Sequence, residues 1–285
     1  MIPLAQIIQW RQTAPWADDM QVEQDLILSR AIVEIFSNPF LADQLAFRGG
    51  TALHKLFFSP AARYSEDIDL VRTSKGGIKE IIDALRNCLE PWLGQPKTRQ
   101  TAQSFKLLFY FFPEISASIK QKIKIEINIH ENYAILERLN KPFAVKSDWF
   151  SQDVEVNTFQ LEELLATKLR ALYERKKGRD AFDLWLAINE KEFDAKTTMG
   201  VFSEHMARGN KTITKKLFID NLDLKLQDPA FLDDIEPLLA PRLKNNHSRP
   251  LGFVTEGEQR IATEGWSLLD AVEAIKSIFI EQLMR

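Results

Sequence analysis

The stretch from Phe47 to Leu70 constrains the fold most, because it places a glycine pair, a short amphipathic segment and an Asp-x-Asp pattern in that order. Asp67 and Asp69 are separated by one apolar residue, so in an extended strand both carboxylates point to one face. Two acids on one strand face can share a hard cation such as Mg²⁺, which takes carboxylate and phosphate oxygens. A solvated strand edge is the alternative interpretation.

A glycine pair, Gly49 and Gly50, precedes the acids and is followed by Thr51 near the start of a predicted helix over 52–58. Glycines let backbone N–H groups approach a phosphate, and a helix N-terminus favours negative charge. A tight turn is the ordinary role of such a pair. The order of glycine pair, helix and Asp-x-Asp strand is the arrangement that a two-metal nucleotidyl-transfer site needs, so we predict that these three residues bind a nucleotide.

A strand with strict alternation is predicted from Lys120 to His130, where isoleucines alternate with Lys122, Lys124, Glu126 and Asn128. One face of this strand is core and the other is polar. If the strand pairs beside the Asp-x-Asp strand, Glu126 becomes a third carboxylate, able to bind metal or to accept the proton of an attacking hydroxyl. The alternative is a solvated strand with alternating charge.

Composition narrows the class of protein. The chain has 285 residues, a net charge of −3, a single cysteine, Cys88, and four histidines without zinc-ligand spacing. No apolar run approaches the roughly 20 residues that span a bilayer, and the start lacks the order of a signal peptide. We therefore expect a soluble cytoplasmic protein without a membrane partner, in which local basic patches make any RNA contact.

Secondary-structure patterns change along the chain from mixed strands and helices to helices only. A linker is predicted over 154–158, which divides the chain into a domain over 1–155 and a helical domain over 156–285. In the helical domain, Lys168 lies inside the apolar stripe of a helix over 161–177, as a snorkelling edge residue or as a cation held for a purpose. Gly178 is predicted to end this helix.

The helix predicted after Gly178 begins with charged residues. Asp180 lies near its N-terminus, where an N-cap is the ordinary role. The densest positive run of the chain ends at Arg179 and suits a phosphate or an RNA backbone, with a solvated helix face as the alternative. Its members are Arg170, Arg175, Lys176, Lys177 and Arg179.

Several of these segments together resemble the AbiEii-type (abortive infection) branch of the DNA polymerase β-like nucleotidyltransferase superfamily, the toxins of bacterial toxin–antitoxin pairs. The segments are Phe47-x-Gly49-Gly50-Thr51-Ala52-Leu53, Arg63-Tyr64-Ser65-Glu66-Asp67-Ile68-Asp69-Leu70, Lys124-Ile125-Glu126-Ile127-Asn128, Lys168-Leu169-Arg170-Ala171-Leu172 with Arg175, and Arg179-Asp180-Ala181-Phe182-Asp183-Leu184. The resemblance implies a mixed α/β nucleotidyltransferase sheet with flanking helices, followed by a helical C-terminal domain.

The resemblance also implies a function in abortive infection, a form of phage defence. The expected reaction is transfer of a nucleoside monophosphate from an NTP to an acceptor, the 3′ end of tRNA, with release of pyrophosphate. Asp67, Asp69 and Glu126 are expected to hold Mg²⁺ or Mn²⁺. Lys168 is expected to contact the nucleotide phosphates with Arg179 nearby, and Asp180 to be essential as a base or as an anchor for the lysine. The expected protein partner is an antitoxin with a winged-helix DNA-binding domain.

Two other functions compete with this one. An enzyme of the same fold can act on a small molecule or a protein, and a non-catalytic module can keep the fold to bind nucleotide. The intact acids Asp67, Asp69 and Glu126 argue against the non-catalytic module. The acceptor rests only on the basic run and on the family resemblance.

Overall fold

Two compact units make up the chain in the computed structural model, residues 1–159 and residues 160–285. The structure describes residues 2–116, 118–244, 253–256, 259–262 and 266–283. Among these residues, no helix combines the length and the apolar character needed to cross a membrane. The unit boundary follows Phe159, whereas the sequence places the domain boundary after residue 155.

The predicted linker over 154–158 is wrong, because this segment is the end of the strand Ser151–Thr158. Val156 and Thr158 are buried, and the Thr158 hydroxyl donates a hydrogen bond of 2.6 Å to the carbonyl oxygen of Phe47. Alternate residues of a strand point to the same face, so the buried pair marks the core side of the strand.

The first unit is a mixed α/β sheet with flanking helices, and the predicted fold class is confirmed. Its described elements are α1 (Leu4–Trp10), α2 (Asp19–Ser37), α3 (Pro39–Gln44), β1 (Leu45–Arg48), α4 (Gly49–Leu56), β2 (Asp67–Arg72), α5 (Lys79–Leu93), β3 (Lys97–Gln100), β4 (Ser104–Phe111), β5 (Gln121–Asn128), β6 (Leu139–Lys146) and β7 (Ser151–Thr158). The order of strands in the sheet is β3-β4-β5-β2-β1-β7-β6. β2 pairs parallel with β5 and β1 pairs parallel with β7, whereas the other neighbours pair antiparallel.

The core of this unit lies on one face of the sheet, where α2 packs on β2, β5 and β7. Ile68 and Leu70 of β2, with Ile125 and Ile127 of β5, are buried, as the alternation in both strands predicts. α2 begins after Asp18, whose carboxylate accepts a hydrogen bond from the N–H of residue 20. This N-cap and the apolar residues at helical spacing explain why α2 forms.

The second unit is mainly helical. Its described elements are α6 (Leu161–Glu174), α7 (Gly178–Glu190), α8 (Ala195–Arg208), α9 (Lys215–Lys225), α10 (Pro229–Leu232), α11 (Pro241–Lys244), the strands β8 (Phe253–Glu256) and β9 (Gln259–Ala262), α12 (Leu268–Ile278), and the 3₁₀ helices Glu236–Leu238 and Ile280–Gln282. The prediction of helices only is wrong here, because β8 and β9 pair as an antiparallel hairpin. β-branched residues such as Val254 and Thr255 favour strands.

Gly178 opens α7 instead of ending the preceding helix, because α6 already ends at Glu174. A Cβ atom on Gly178 would collide with the carbonyl oxygen of Phe231, so close backbone approach explains this glycine. Toward the end of the chain, a 3₁₀ helix follows α10 and another follows α12. The sequence over 244–250 is polar and predicts a loop, but it lies outside the described residues apart from its first position.

Candidate active site

Three acidic side chains lie on one face of two neighbouring strands. In the parallel pair β2 and β5, Asp69 lies opposite Glu126, and Asp67 lies opposite Lys124. Directly paired residues share a face of the sheet, while Ile68 between the two aspartates enters the core. The two strands do pair, which was the condition for a third carboxylate, and the pairing brings Glu126 beside the Asp-x-Asp pattern.

Gly49 is the first residue of α4, and the Asp69 carboxylate packs directly against it. Gly49 has φ of +86°, and a Cβ atom there would collide with an oxygen of Asp69. Burial, and next the charge of Asp67, raise the pKa of Asp69 above its usual value. Gly49 is thus required twice, by its backbone conformation and by the carboxylate against it.

The rest of the first turn of α4 is also tied to the acid-bearing strand. Thr51 is buried, and its hydroxyl donates a hydrogen bond of 2.5 Å to the carbonyl oxygen of Asp67. It therefore accepts the hydrogen bond of 2.8 Å from the hydroxyl of Ser65. The buried guanidinium of Arg63 packs against Gly50, which explains the second glycine. The nucleotide contacts of Gly49, Gly50 and Thr51 stay predictions.

Lys124 neutralises part of the acidic face, a role that the sequence analysis missed. Its ammonium lies 2.8 Å from Asp67 Oδ2 and 3.2 Å from Glu126 Oε2, and the Lys106 ammonium lies 3.0 Å from Glu126 Oε1. Burial works against the charge of Lys124, yet Asp67, Asp69 and Glu126 together raise its pKa. Alternation along β5 already places Lys124 on the face of Glu126. The parallel register of β2 with β5 adds Asp67 to that face.

Glu126 stays ionised in these surroundings. Burial alone would raise its pKa, but hydrogen bonds from Ser104 and Lys106 and the charge of Lys124 hold the pKa below its usual value. Its side chain is 24% exposed, so solvent and small molecules reach it.

The donor chemistry of this face fits a divalent cation. In the described part of the chain, no group of three or more acidic, histidine or cysteine side chains is already arranged around one metal position. The Lys124 ammonium lies within ion-pair distance of two of the three carboxylates. Carboxylate oxygens are the ligands of Mg²⁺ and Mn²⁺, and a cation would stabilise three carboxylates that share one face. Metal binding by Asp67, Asp69 and Glu126 stays a prediction that this chemistry supports.

The second unit contains a buried ion cluster around Lys168. The Lys168 ammonium lies 3.1 Å from Asp180 Oδ1 and 2.7 Å from Asp183 Oδ2. Arg175 donates hydrogen bonds of 2.7 and 2.8 Å to the two oxygens of Asp180. Burial of Asp180 favours its neutral form, but Lys168 and Arg175 lower its pKa below the usual value.

The contacts of this cluster show that neither Lys168 nor Asp180 has the ordinary role of a residue at its position. Lys168 does not snorkel, because it is 5% exposed. Asp180 is not the N-cap of α7, since Lys177 occupies that position and the helix has no side-chain cap. The geometry supports an anchoring role of Asp180 toward Lys168. Contact between Lys168 and nucleotide phosphates stays a prediction.

The basic run that ends at Arg179 is largely neutralised inside the second unit. Arg179 donates hydrogen bonds of 2.9 and 3.0 Å to the two oxygens of Asp234, and Lys177 lies 3.0 Å from the same carboxylate. Lys176 lies 2.8 Å from Asp228. These acids lie far along the sequence from the basic run, so no local spacing could have revealed them. Nucleotide binding by Arg179 stays a prediction.

Comparisons with known proteins show which sequences and structures this chain resembles. The family model described as nucleotidyl transferase AbiEii toxin of a type IV toxin–antitoxin system matches residues 30–261. The structure of MenT4, a nucleotidyltransferase toxin from Mycobacterium tuberculosis, aligns with a TM-score of 0.61 and 15% identity over 85% of this chain and 84% of MenT4. JHP933 from Helicobacter pylori aligns with a TM-score of 0.46 and 15% identity over 76% of this chain and 84% of its own. A search of curated proteins found no match.

The family match and the structural match carry different conclusions. At such low identity the likeness to MenT4 shows the fold alone. The family model covers most of the chain, including the glycine pair, the three acids and the Lys168 cluster. The chain therefore belongs to the AbiEii family of nucleotidyltransferase toxins and is itself a nucleotidyltransferase.

Proposed function

We propose that this toxin uses Mg²⁺, with Mn²⁺ as a substitute, to transfer a nucleoside monophosphate from an NTP to the 3′ end of tRNA. The observation that carries the proposal is the placement of Asp67, Asp69 and Glu126 on one face of β2 and β5, against Gly49 at the start of α4. The same residues support the metal requirement, because they are hard oxygen donors.

The reaction makes one bond and breaks another at the α-phosphorus. The hydroxyl oxygen of the acceptor bonds to this phosphorus, and the bond to the oxygen that bridges to the β-phosphate breaks, so that pyrophosphate leaves with the electron pair. Asp67, Asp69 and Glu126 would hold the cation, which would neutralise charge on the phosphate oxygens. Glu126 takes the proton of the hydroxyl, because it is ionised and partly exposed. Asp180 is fully buried beside Lys168 and Arg175, which favours the anchoring role.

Binding of the nucleotide is assigned to groups in each unit. In the first unit, the N–H groups of Gly49 and Gly50 contact phosphate, and Thr51 holds them against β2 through its hydrogen bond to Asp67. In the second unit, Lys168 contacts the phosphates and is held by Asp180 and Asp183. An ammonium positioned by two buried carboxylates is pre-organised, which lowers the cost of binding.

The proposed cellular setting follows from the family. The toxin acts in the cytoplasm, where a single free cysteine such as Cys88 is stable, and its partner is an antitoxin with a winged-helix DNA-binding domain. The toxin and its antitoxin serve in phage defence by abortive infection.

A labelling experiment tests the reaction. The protein is incubated with Mg²⁺, each α-³²P-labelled NTP in turn and total bacterial tRNA. We expect label in tRNA with the native protein and with Asp153→Ala, and none with Asp67→Asn. Asp153 is a suitable control because it is an exposed aspartate on β7. Label that appears only on small molecules or only on protein would overturn the tRNA assignment.

A further inference from the structure

The sheet continues beyond the acids through β5, β4 and β3, and the strand register shows which residues share the face of the acids. Lys106 lies opposite Glu126 and Arg99 lies opposite Lys106. Tyr110 lies opposite Lys122 in the same pair of strands. Directly paired residues share a face and alternate residues of a strand share it too, so Lys97 joins this set.

Positive charge dominates this face. β3 and β4 contain no aspartate or glutamate, and Glu126 is the single acid of β5. Lys97, Arg99 and Lys122 are exposed, and in the part of the chain that the structure describes no carboxylate pairs with them. The whole chain has a net charge of −3, so the positive charge of this face differs from that of the chain as a whole. The basic run of the second unit differs, because Asp180, Asp228 and Asp234 neutralise most of it.

An aromatic ring lies among these cations. The Lys120 ammonium lies 4.7 Å and the Lys97 ammonium 5.7 Å from the centroid of the Tyr110 ring. Both lysines are exposed, so their flexible side chains can leave the ring and bind an anion instead. We call Lys97, Arg99, Tyr110, Lys120 and Lys122 the basic sheet face.

We propose that the basic sheet face binds the backbone of the acceptor RNA and directs its 3′ end to Asp67, Asp69 and Glu126. This inference rests on the proposed function. Spaced cations around an aromatic ring suit a single RNA strand, whose phosphates meet the cations while a base stacks on the ring. An acidic protein segment would use the cations but would gain no base stacking. The face is also continuous with the acids through β5, so a strand bound along it ends where the hydroxyl reacts.

The test compares two triple variants with equal loss of charge. The face variant is Lys97→Gln, Arg99→Gln and Lys122→Gln. The control is Lys75→Gln, Lys79→Gln and Lys146→Gln, which removes exposed cations outside the face. Fluorescence anisotropy with deacylated tRNA and with a single-stranded RNA of its 3′ sequence is measured over a range of salt. Binding of NTP and transfer of label to tRNA are measured for the same proteins.

We expect the face variant to bind both RNAs at least tenfold more weakly and the control to bind as the native protein does. The plot of log affinity against log salt should lose a slope of about 2 in the face variant, since each contact to a single strand contributes about 0.7. Binding of NTP should stay unchanged in both variants.

The outcomes separate this inference from the proposed function. If the native protein labels no tRNA with any NTP, the proposed function fails. If the native protein labels tRNA and the face variant matches the control in RNA affinity and salt slope, the docking inference alone fails. Loss of antitoxin binding with unchanged RNA binding would also overturn it, because the face would then serve a protein partner.

Discussion

At the scale of single residues, Lys124 acts as an internal counter-ion for the acids. Its ammonium lies between Asp67 and Glu126, where a divalent cation is expected to bind. A cation that binds these carboxylates competes with the ammonium, so the lysine weakens metal binding until it moves aside. The same lysine stabilises the acids by charge when no metal is bound.

We expect Lys124→Gln to bind Mn²⁺ about tenfold more tightly than the native protein when no nucleotide is present, a gain of about 1.4 kcal/mol. The substitution removes the competing charge and leaves Asp67 and Glu126 to repel each other. Electron paramagnetic resonance of free and bound Mn²⁺ measures the affinity. Lys146→Gln, at the end of the edge strand β6, is the control. Weaker or equal Mn²⁺ binding in Lys124→Gln would refute the counter-ion role.

Gly49 is the second residue whose substitution should have a clear effect, here on stability. Gly49→Ala has to adopt a φ of +86° and to displace the Asp69 carboxylate. We expect the free energy of unfolding to fall by about 2 kcal/mol, the usual size of such backbone strain. Gly77→Ala is the matched control, because no atom lies within 4 Å of its added Cβ. Urea unfolding compares the two, and an equal effect would show that Gly49 has no special role.

At the scale of elements, a buried aspartate joins α4 to the N-terminal helices. Asp25 of α2 accepts hydrogen bonds of 2.9 Å from the indole of Trp10 and 3.1 Å from the indole of Trp16. The Lys55 ammonium, near the end of α4, lies 2.7 Å from the same carboxylate. The helix that begins at the glycine pair is thus fixed at its other end by α2.

We expect Asp25→Asn to destabilise the protein by about 3 kcal/mol, because it leaves the Lys55 ammonium without its charge partner in a mostly buried position. Adding Lys55→Met should restore part of this loss, which a double-mutant cycle in urea measures. If the two losses simply add, Asp25 and Lys55 do not act as a pair.

Another lysine, Lys225, caps the C-terminal end of α6 in the second unit. The Lys225 ammonium donates to the carbonyl oxygens of Leu172 and Tyr173, the latter at 2.8 Å, in the last turn of α6. Burial lowers the pKa of Lys225 to about 8. The helix C-terminus attracts the cation, whereas burial opposes it.

The lowered pKa predicts how stability changes with pH. Between pH 8 and the usual lysine pKa, the unfolded chain binds the proton of Lys225 and the folded chain does not, so stability rises with pH in this range. We expect the native protein to gain up to about 3 kcal/mol over Lys225→Met across this range, at about 1.4 kcal/mol per pKa unit. Urea unfolding at several pH values measures the difference, and a constant difference would contradict the shift.

At the scale of the whole molecule, the sequence predicted features that depend on neighbouring residues better than contacts between distant segments. Alternation is visible in a few residues, and it placed Asp67 and Asp69 on one face of β2 and Glu126 on the polar face of β5. The parallel pairing of the two strands joins these faces. The partners of Lys177 and Arg179 could not be predicted, because Asp234 reaches them only after the helices have packed. The basic sheet face was missed for the same reason, since it depends on the register of β3 with β4.

The two units carry different parts of the proposed reaction, and two substitutions separate them. Asp180→Asn removes a charge partner of Lys168 and Arg175 in the second unit, at a cost of about 3 kcal/mol of stability. Asp67→Asn removes a proposed metal ligand in the first unit.

We expect Asp180→Asn to weaken NTP binding at least tenfold while Mn²⁺ affinity without nucleotide stays unchanged, because the carboxylates of the first unit remain intact. Asp67→Asn should weaken Mn²⁺ binding. Calorimetry at a temperature where both variants are folded measures these affinities. Unchanged NTP binding in Asp180→Asn would make the Lys168 cluster a purely structural feature.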